Sequence, residues 1–91
     1  MKKLSKTFNL IKLAEECAEL QQIACKNIVK SKDRNILKLE EEIADVLAAT
    51  SIIVTQMNLN KERILNRVSE KLDKYDTYTL IIDAETGLVL S

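Results

Sequence analysis

Four carboxylates are spaced to act together: Glu16 and Glu19 in one segment, Glu42 and Asp45 in a second. Side chains at i and i+3 lie on one helix face a turn apart, so each segment can offer two acidic groups to a single point. Asp45 is the only charge between Ile43 and Asn60, in a run (IADVLAATSIIVTQMNLN) apolar enough on every side of a helix to be buried. A lone carboxylate buried there costs on the order of several kcal/mol unless a cation compensates it. Hard divalent cations prefer several oxygen ligands, and Mg²⁺ completes its octahedron with water and substrate phosphate. The two pairs therefore predict a Mg²⁺ cage, with Mn²⁺ as an alternative ion.

Holding those pairs in register is a task for helices. The chain has no proline, and its single glycine is Gly87, so nothing interrupts long helices before the last dozen residues. Helix one is expected from Ser5 to Val29, with Leu10, Leu13, Ala14, Cys17, Leu20, Ala24 and Ile28 recurring at helical spacing as its core face. Ser31 and Asp33 supply turn and cap chemistry for a second helix that carries Leu37 to Met57. Asn60 caps a third, from Lys61 to Tyr75, with Ile64, Leu65, Val68 and Leu72 facing inward. The short connection around Lys30 to Asp33 makes helices one and two antiparallel neighbours, which can bring the two acidic pairs together. Within helix one, Glu16 borders the core between Leu20 and Ile23, while Glu19 sits toward the polar arc.

The expected fold class is all-α: an antiparallel helical bundle over residues 1–78, followed by a tail, 79–91, that reads as a short β-hairpin. In TLIIDAETGLVLS, two apolar strands flank Asp83 to Gly87, a turn sequence closed by glycine. A lone hairpin is marginal in water, which casts this one as an assembly element. A chain of 91 residues buries only about 60 to 65% of its unfolded surface and is marginal as a monomer, so a homodimer or homotetramer is expected.

Composition removes several function classes. Fourteen basic and fourteen acidic residues give zero formal charge, without the electrostatic footprint of a nucleic-acid or anionic-membrane binder. No apolar run reaches the roughly 18 to 20 residues of a membrane span. Cys17 and Cys25 lie about 12 Å apart along one helix, too far for a disulfide, and read as reduced core residues of a cytoplasmic protein. The absence of histidine excludes Ser-His-Asp and Cys-His triads and leaves the cysteines without partners for a zinc site.

The segments LAEECAEL (Leu13 to Leu20) and EEIADVL (Glu41 to Leu47) resemble the E-E-x-x-E and E-x-x-D motifs of the MazG-like, all-α nucleoside triphosphate pyrophosphohydrolases. The resemblance spans Phe8 to Tyr78. It implies Mg²⁺-dependent hydrolysis of (deoxy)nucleoside triphosphates to monophosphate and pyrophosphate, with the metal held by Glu16, Glu19, Glu42 and Asp45. Glu16, with its apolar flanks, is the choice for general base. Many members of that family end the third helix with a K-x-x-x-N-x-x-R-Y-like run, where this chain has EKLDKYDTY (Glu70 to Tyr78). Lys71, Lys74 and Tyr75, together with Lys12, are the expected substrate-binding residues, and Phe8, Tyr75 and Tyr78 are the aromatics able to stack on a base.

Other readings use the same residues. Charge pairs at i, i+3 commonly mark a solvated helix face, and Glu16 with Lys12 or Glu19 with Gln22 fits that pattern. A non-catalytic module binding nucleotide or a partner protein would keep the helices without turnover. Phosphoribosyl-ATP pyrophosphohydrolase is a second enzyme reading with similar acids.

Overall fold

The computed structural model describes residues 5–30, 32–75, 80–81 and 89–90, and of Tyr75, 80–81 and 89–90 the backbone alone. The chain divides into two units, Met1–Leu59 and Asn60–Ser91. The helical architecture is all-α, as expected.

Helix α1 (Lys6–Val29) begins at Ser5, whose hydroxyl accepts from the Phe8 amide at 3.0 Å. That bond satisfies one of the amides a helix start leaves without a partner. At the other end, Arg34 Nε donates to the Asn27 carbonyl at 3.0 Å, closing one of the last orphan carbonyls. Helix α2 (Ile36–Gln56) is capped by Asn35, whose Oδ1 accepts from the Lys38 amide at 3.0 Å. The expected cap at Asp33 is thereby corrected by two residues, and Ser31 lies outside the described residues. The reason is that residues 32–35 are needed to reverse the chain while Arg34 braces α1, so Asn35 is the side chain that reaches the first turn.

The end of α2 is a Schellman motif. Asn58 takes φ 51°, the Leu59 amide donates to the Val54 carbonyl at 3.0 Å, and the Asn58 amide donates to Thr55 at 3.2 Å. Asn tolerates this left-handed position better than any other residue with a Cβ, which explains a sharp stop without glycine.

Asn9, near the start of α1, donates through Nδ2 to Gln56 Oε1 at 2.8 Å, while Arg34 ties the opposite end. The two helices therefore lie side by side and antiparallel. The stripe of α1 turned toward α2 is Asn9, Leu13, Glu16, Leu20, Ile23 and Asn27, and that of α2 is Leu39, Glu42, Val46, Ala49, Ile53 and Gln56, all buried or half-buried. Spacings of three and four alternate along both stripes, as in a coiled-coil seam.

Among the described residues only Ile23 and Ile53 are buried hydrophobics, while Asn9, Asn27 and Glu42 are buried polar groups. Several core expectations are corrected by this seam. Cys17 and Cys25 are exposed, as are Leu10, Ala14 and Ile28. One neighbouring helix covers one stripe, and polar residues take part of that stripe, so apolar side chains on other faces stay outside.

In the second unit, α3 (Lys61–Tyr75) starts where Asn60 Oδ1 accepts from the Arg63 amide at 2.9 Å, the cap expected there. Leu65, Val68 and Leu72 form its half-buried stripe, and Ile64 is exposed. Glu62 in the first turn and Lys74 in the last complement the helix dipole. Two-residue strands β1 (Leu80–Ile81) and β2 (Val89–Leu90) pair antiparallel, Leu80 opposite Leu90. The turn sequence between them lies outside the described residues. No described helix is long and apolar enough to cross a membrane.

Candidate metal centre

The seam sets Glu16 and Glu19 of α1 against Glu42 and Asp45 of α2. One carboxylate oxygen from each of the four lies within 4.8 Å of one from every other. The four sequence-derived candidates thus meet at one point. Glu16 is half-buried and Glu19 exposed, as expected, but in the second pair the burial corrects the expectation: Glu42 is 3% exposed, whereas Asp45 is exposed. Asp45 sits one step off the seam, on a flank of α2 that α1 does not cover. The apolar run around it misled because α2 is apolar on nearly all sides, so composition there does not reveal which face is covered.

Glu42 carries the desolvation cost. Lys38 Nζ lies 2.9 Å from Glu42 Oε1 and neutralises one side of the carboxylate. Glu42 Oε2 and Glu16 Oε2 are both buried without a hydrogen-bond donor. Buried carboxylate oxygens are ordinarily satisfied, and the two unpartnered oxygens of this acidic quartet are free to accept a ligand or a cation. All-oxygen donors suit Mg²⁺ or Mn²⁺ rather than a thiophilic metal. The residues present therefore fit the ion.

Repulsion within the quartet falls on Glu19. The neighbouring Glu16 carboxylate, then that of Glu42, holds the Glu19 carboxyl above the usual carboxylate range, with Lys38 opposing the effect. Lys38 in turn is held above the ordinary lysine value, foremost by its hydrogen bond to Glu42.

Two open grooves flank the quartet along the helix pair. On the side of the interhelical connection, a groove of about 670 Å³ is lined by Glu19, Ile23, Asn27 and Glu42 together with Lys26, Lys30 and Lys38. On the opposite side, a groove of about 360 Å³ runs from Glu16 and Asp45 along Ala48, Ala49 and Ile52 to Phe8. Lys12 lines the second groove, and its ammonium pairs with Glu15 at 3.0 Å rather than with Glu16.

Lys71 and Lys74 belong to the other unit, where they line a shallow surface on α3 with Arg67, Glu70 and Asp73. The expectation for Tyr75 concerns a side chain outside the described residues, and Tyr78 lies outside them altogether. Sequence reading passed over Lys38, Asn9 and Asn27. Lys38 had a signal, standing one turn before Glu42, and the two asparagines continue the three-four spacing of Leu13, Glu16, Leu20 and Ile23 in both directions.

Compared with family models, curated proteins and solved structures, the chain matches none.

Proposed function

We propose that the protein is a Mg²⁺-dependent pyrophosphohydrolase of (deoxy)nucleoside triphosphates, releasing monophosphate and pyrophosphate, and that it resembles the MazG-like enzymes in this. The observation that carries the reading is the convergence of Glu16, Glu19, Glu42 and Asp45, with the unpartnered Oε2 of buried Glu42 among them. A chance solvated face would leave such an oxygen in water rather than sealed between two helices.

Glu16, Glu19, Glu42 and Asp45 would hold Mg²⁺, or Mn²⁺ in its place. When bound, the ion supplies charge neutralisation for the triphosphate and a lowered pKa for a coordinated water. Glu42 is fixed by burial and by Lys38, which leaves one oxygen for binding. Glu16, at the head of the apolar groove, takes the proton of the attacking water at a carboxylate oxygen. Lys12 stands beside Glu16 as a cation for the substrate.

The working form is a homo-oligomer. Its support is the apolar surface that the helix pair leaves open, including Leu37 at 68% exposed and Leu47 at 37%. The 79–91 tail is proposed as an assembly element of that oligomer.

Incubation with Mg²⁺ and each common NTP and dNTP, followed by chromatography, tests the reading, with Asp45→Asn run in parallel. Monophosphate and pyrophosphate from the wild type alone are expected. Turnover confined to phosphoribosyl-ATP would reassign the substrate, and intact substrates throughout would make the chain a binding module.

A further inference from the structure

The two grooves differ in chemistry, and the quartet stands between them. On the connection side, Lys26, Lys30 and Lys38 face Glu19, Glu42 and Asp33. Setting aside the two acids that belong to the quartet, this groove keeps Lys26 and Lys30 against the carboxylate of Asp33, and adds Lys38, which is shared with Glu42 at 2.9 Å and Glu41 at 3.9 Å. On the other side, with Glu16 and Asp45 set aside, Lys12 is the one remaining charged group, and Glu15 pairs with it. The rest of that groove is Phe8, Asn9, two alanines and Ile52.

A nucleoside triphosphate has the same polarity: an aromatic base at one end and most of its charge at the other. We propose that the substrate lies along the helix pair with its β- and γ-phosphates in the Lys26, Lys30 and Lys38 groove and its base over Phe8, which places the α-phosphorus at the quartet. This orientation rests on the pyrophosphohydrolase reading and deepens it, because it determines which phosphorus meets the acids.

The dimensions agree. At 1.5 Å per residue, Lys26 stands about 10 Å beyond Glu19 along α1, a span that its own flexible stem shortens, while Phe8 stands about 12 Å before Glu16. Lys38 is nearest, one turn from Glu42 and 2.9 Å from its carboxylate. The reverse orientation would lay the β- and γ-phosphates against Phe8, Ala49 and Ile52 with Lys12, already paired to Glu15, as their one counter-charge, and the base among exposed ammonium groups with no aromatic face to stack on. Lysine suits the first groove because it binds phosphate as a point charge and needs no fixed fork geometry.

Cleavage at the α-phosphorus breaks the bond to the bridging oxygen of the pyrophosphate, which leaves carrying both electrons of that bond, and water supplies the new oxygen on the monophosphate. The lysine groove then holds the leaving pyrophosphate and the apolar groove holds the monophosphate. The two products should accordingly depend on different residues.

Isothermal titration calorimetry of the intact protein in Mg²⁺ tests this with pyrophosphate as one probe and the eight common nucleoside and deoxynucleoside monophosphates as the other. The Lys26→Gln, Lys30→Gln double variant should lose about 10-fold or more in pyrophosphate affinity and keep its affinity for the best-bound monophosphate. Phe8→Ala should do the converse. All three residues are exposed, and circular dichroism verifies that the helices remain. A wild type that binds no pyrophosphate overturns the proposal, as does an exchange of the two effects or an equal loss of both products in both variants. If triphosphates are hydrolysed while the lysine variant binds pyrophosphate normally, the orientation falls and the enzyme reading stands. If no triphosphate is hydrolysed yet pyrophosphate binding depends on the lysines, the groove stands and the enzyme reading falls.

Discussion

Lys38 Nζ sits 2.9 Å from Glu42 Oε1 and leaves Glu42 Oε2 buried without a donor. The ammonium is exposed and the carboxylate is 3% exposed, so the pair bridges solvent and seam. One cation against the carboxylates of Glu16, Glu19, Glu42 and Asp45 leaves the quartet with excess negative charge. Folding therefore concentrates repulsion at this point, and a divalent ion that binds there relieves it. Cation binding at the quartet would thereby be linked to stability through Glu42.

Mg²⁺ should accordingly raise the melting temperature. At a concentration about 100 times Kd, a ligand that binds only the folded state contributes about 2.7 kcal/mol, which for a domain of this size corresponds to a rise of about 10 °C or more. Thermal melts followed by circular dichroism in EDTA and in Mg²⁺ check this. Coincident melts at millimolar Mg²⁺ would rule the cage out as a Mg²⁺ site.

Asp45→Asn separates the site from the fold. Because Asp45 is exposed and off the seam, the metal-free stability should change by no more than about 0.5 kcal/mol. The Mg²⁺-induced shift should vanish, and turnover should fall by at least about 100-fold, the loss that removal of outer-shell partners already reaches. A variant that melts early in EDTA would give Asp45 a structural role instead.

Glu19 makes the metal-free protein sensitive to pH. Its folded-state carboxyl is held above the unfolded value by Glu16 and Glu42, so the folded chain binds this proton more tightly than the unfolded chain. Its contribution to stability is fully present below the unfolded glutamate pKa and is lost as pH rises through the raised folded value. In EDTA, the difference in melting temperature between wild type and Glu19→Gln should therefore widen from about pH 4 toward neutrality, with the variant the more stable. A difference independent of pH would remove Glu19 from the electrostatics of the quartet.

These relationships were unequally visible in the amino-acid order. The bounds of α1 and α3 were legible because Ser5 and Asn60 are strong caps and no proline or glycine intervenes. The quartet was legible because two i, i+3 pairs on helices joined by a short connection fall at matching heights. The choice of buried acid was not. Helix α2 is apolar around most of its circumference, so its pattern does not point toward α1, and Asp45 looked more enclosed than Glu42. The polar seam was hidden for the complementary reason: Asn9 and Asn27 are residue types that usually face water, and only their register with Leu13, Leu20 and Ile23 places them inside.

The stop at Asn58 carries its own expectation. With φ 51°, a side chain lacking the local hydrogen bonding of Asn meets the left-handed penalty of roughly 1 to 2 kcal/mol. Asn58→Ala should destabilise the first unit by about 1 kcal/mol, and Asn58→Gly should be at least as stable as the wild type. Urea melts of the two variants, compared at equal m-values, decide it. Equal stability of the alanine and glycine variants would mean that the Schellman bonds do not constrain this residue.

The apolar surface of the helix pair makes the final demand. In a two-helix seam whose fully buried hydrophobics, among the described residues, are Ile23 and Ile53, the apolar contribution to folding is small, since a fully buried aliphatic side chain contributes only about 1.5 to 3 kcal/mol. Leu37, Ile43 and Leu47 lie on faces of α2 that α1 leaves open, and their burial against another copy would supply what the seam lacks. Light scattering after gel filtration should return a dimer or tetramer of the 10.3 kDa chain. Replacing Leu47 by Gln should shift that mass toward the monomer and lower the melting temperature in a concentration-dependent way. Deleting residues 80–91 should weaken the assembly further if the tail takes part in it, and an unchanged mass would confine the interface to the helices. A stable monomer in the wild type would sink the oligomer reading altogether, because it would require the seam to hold the fold unaided.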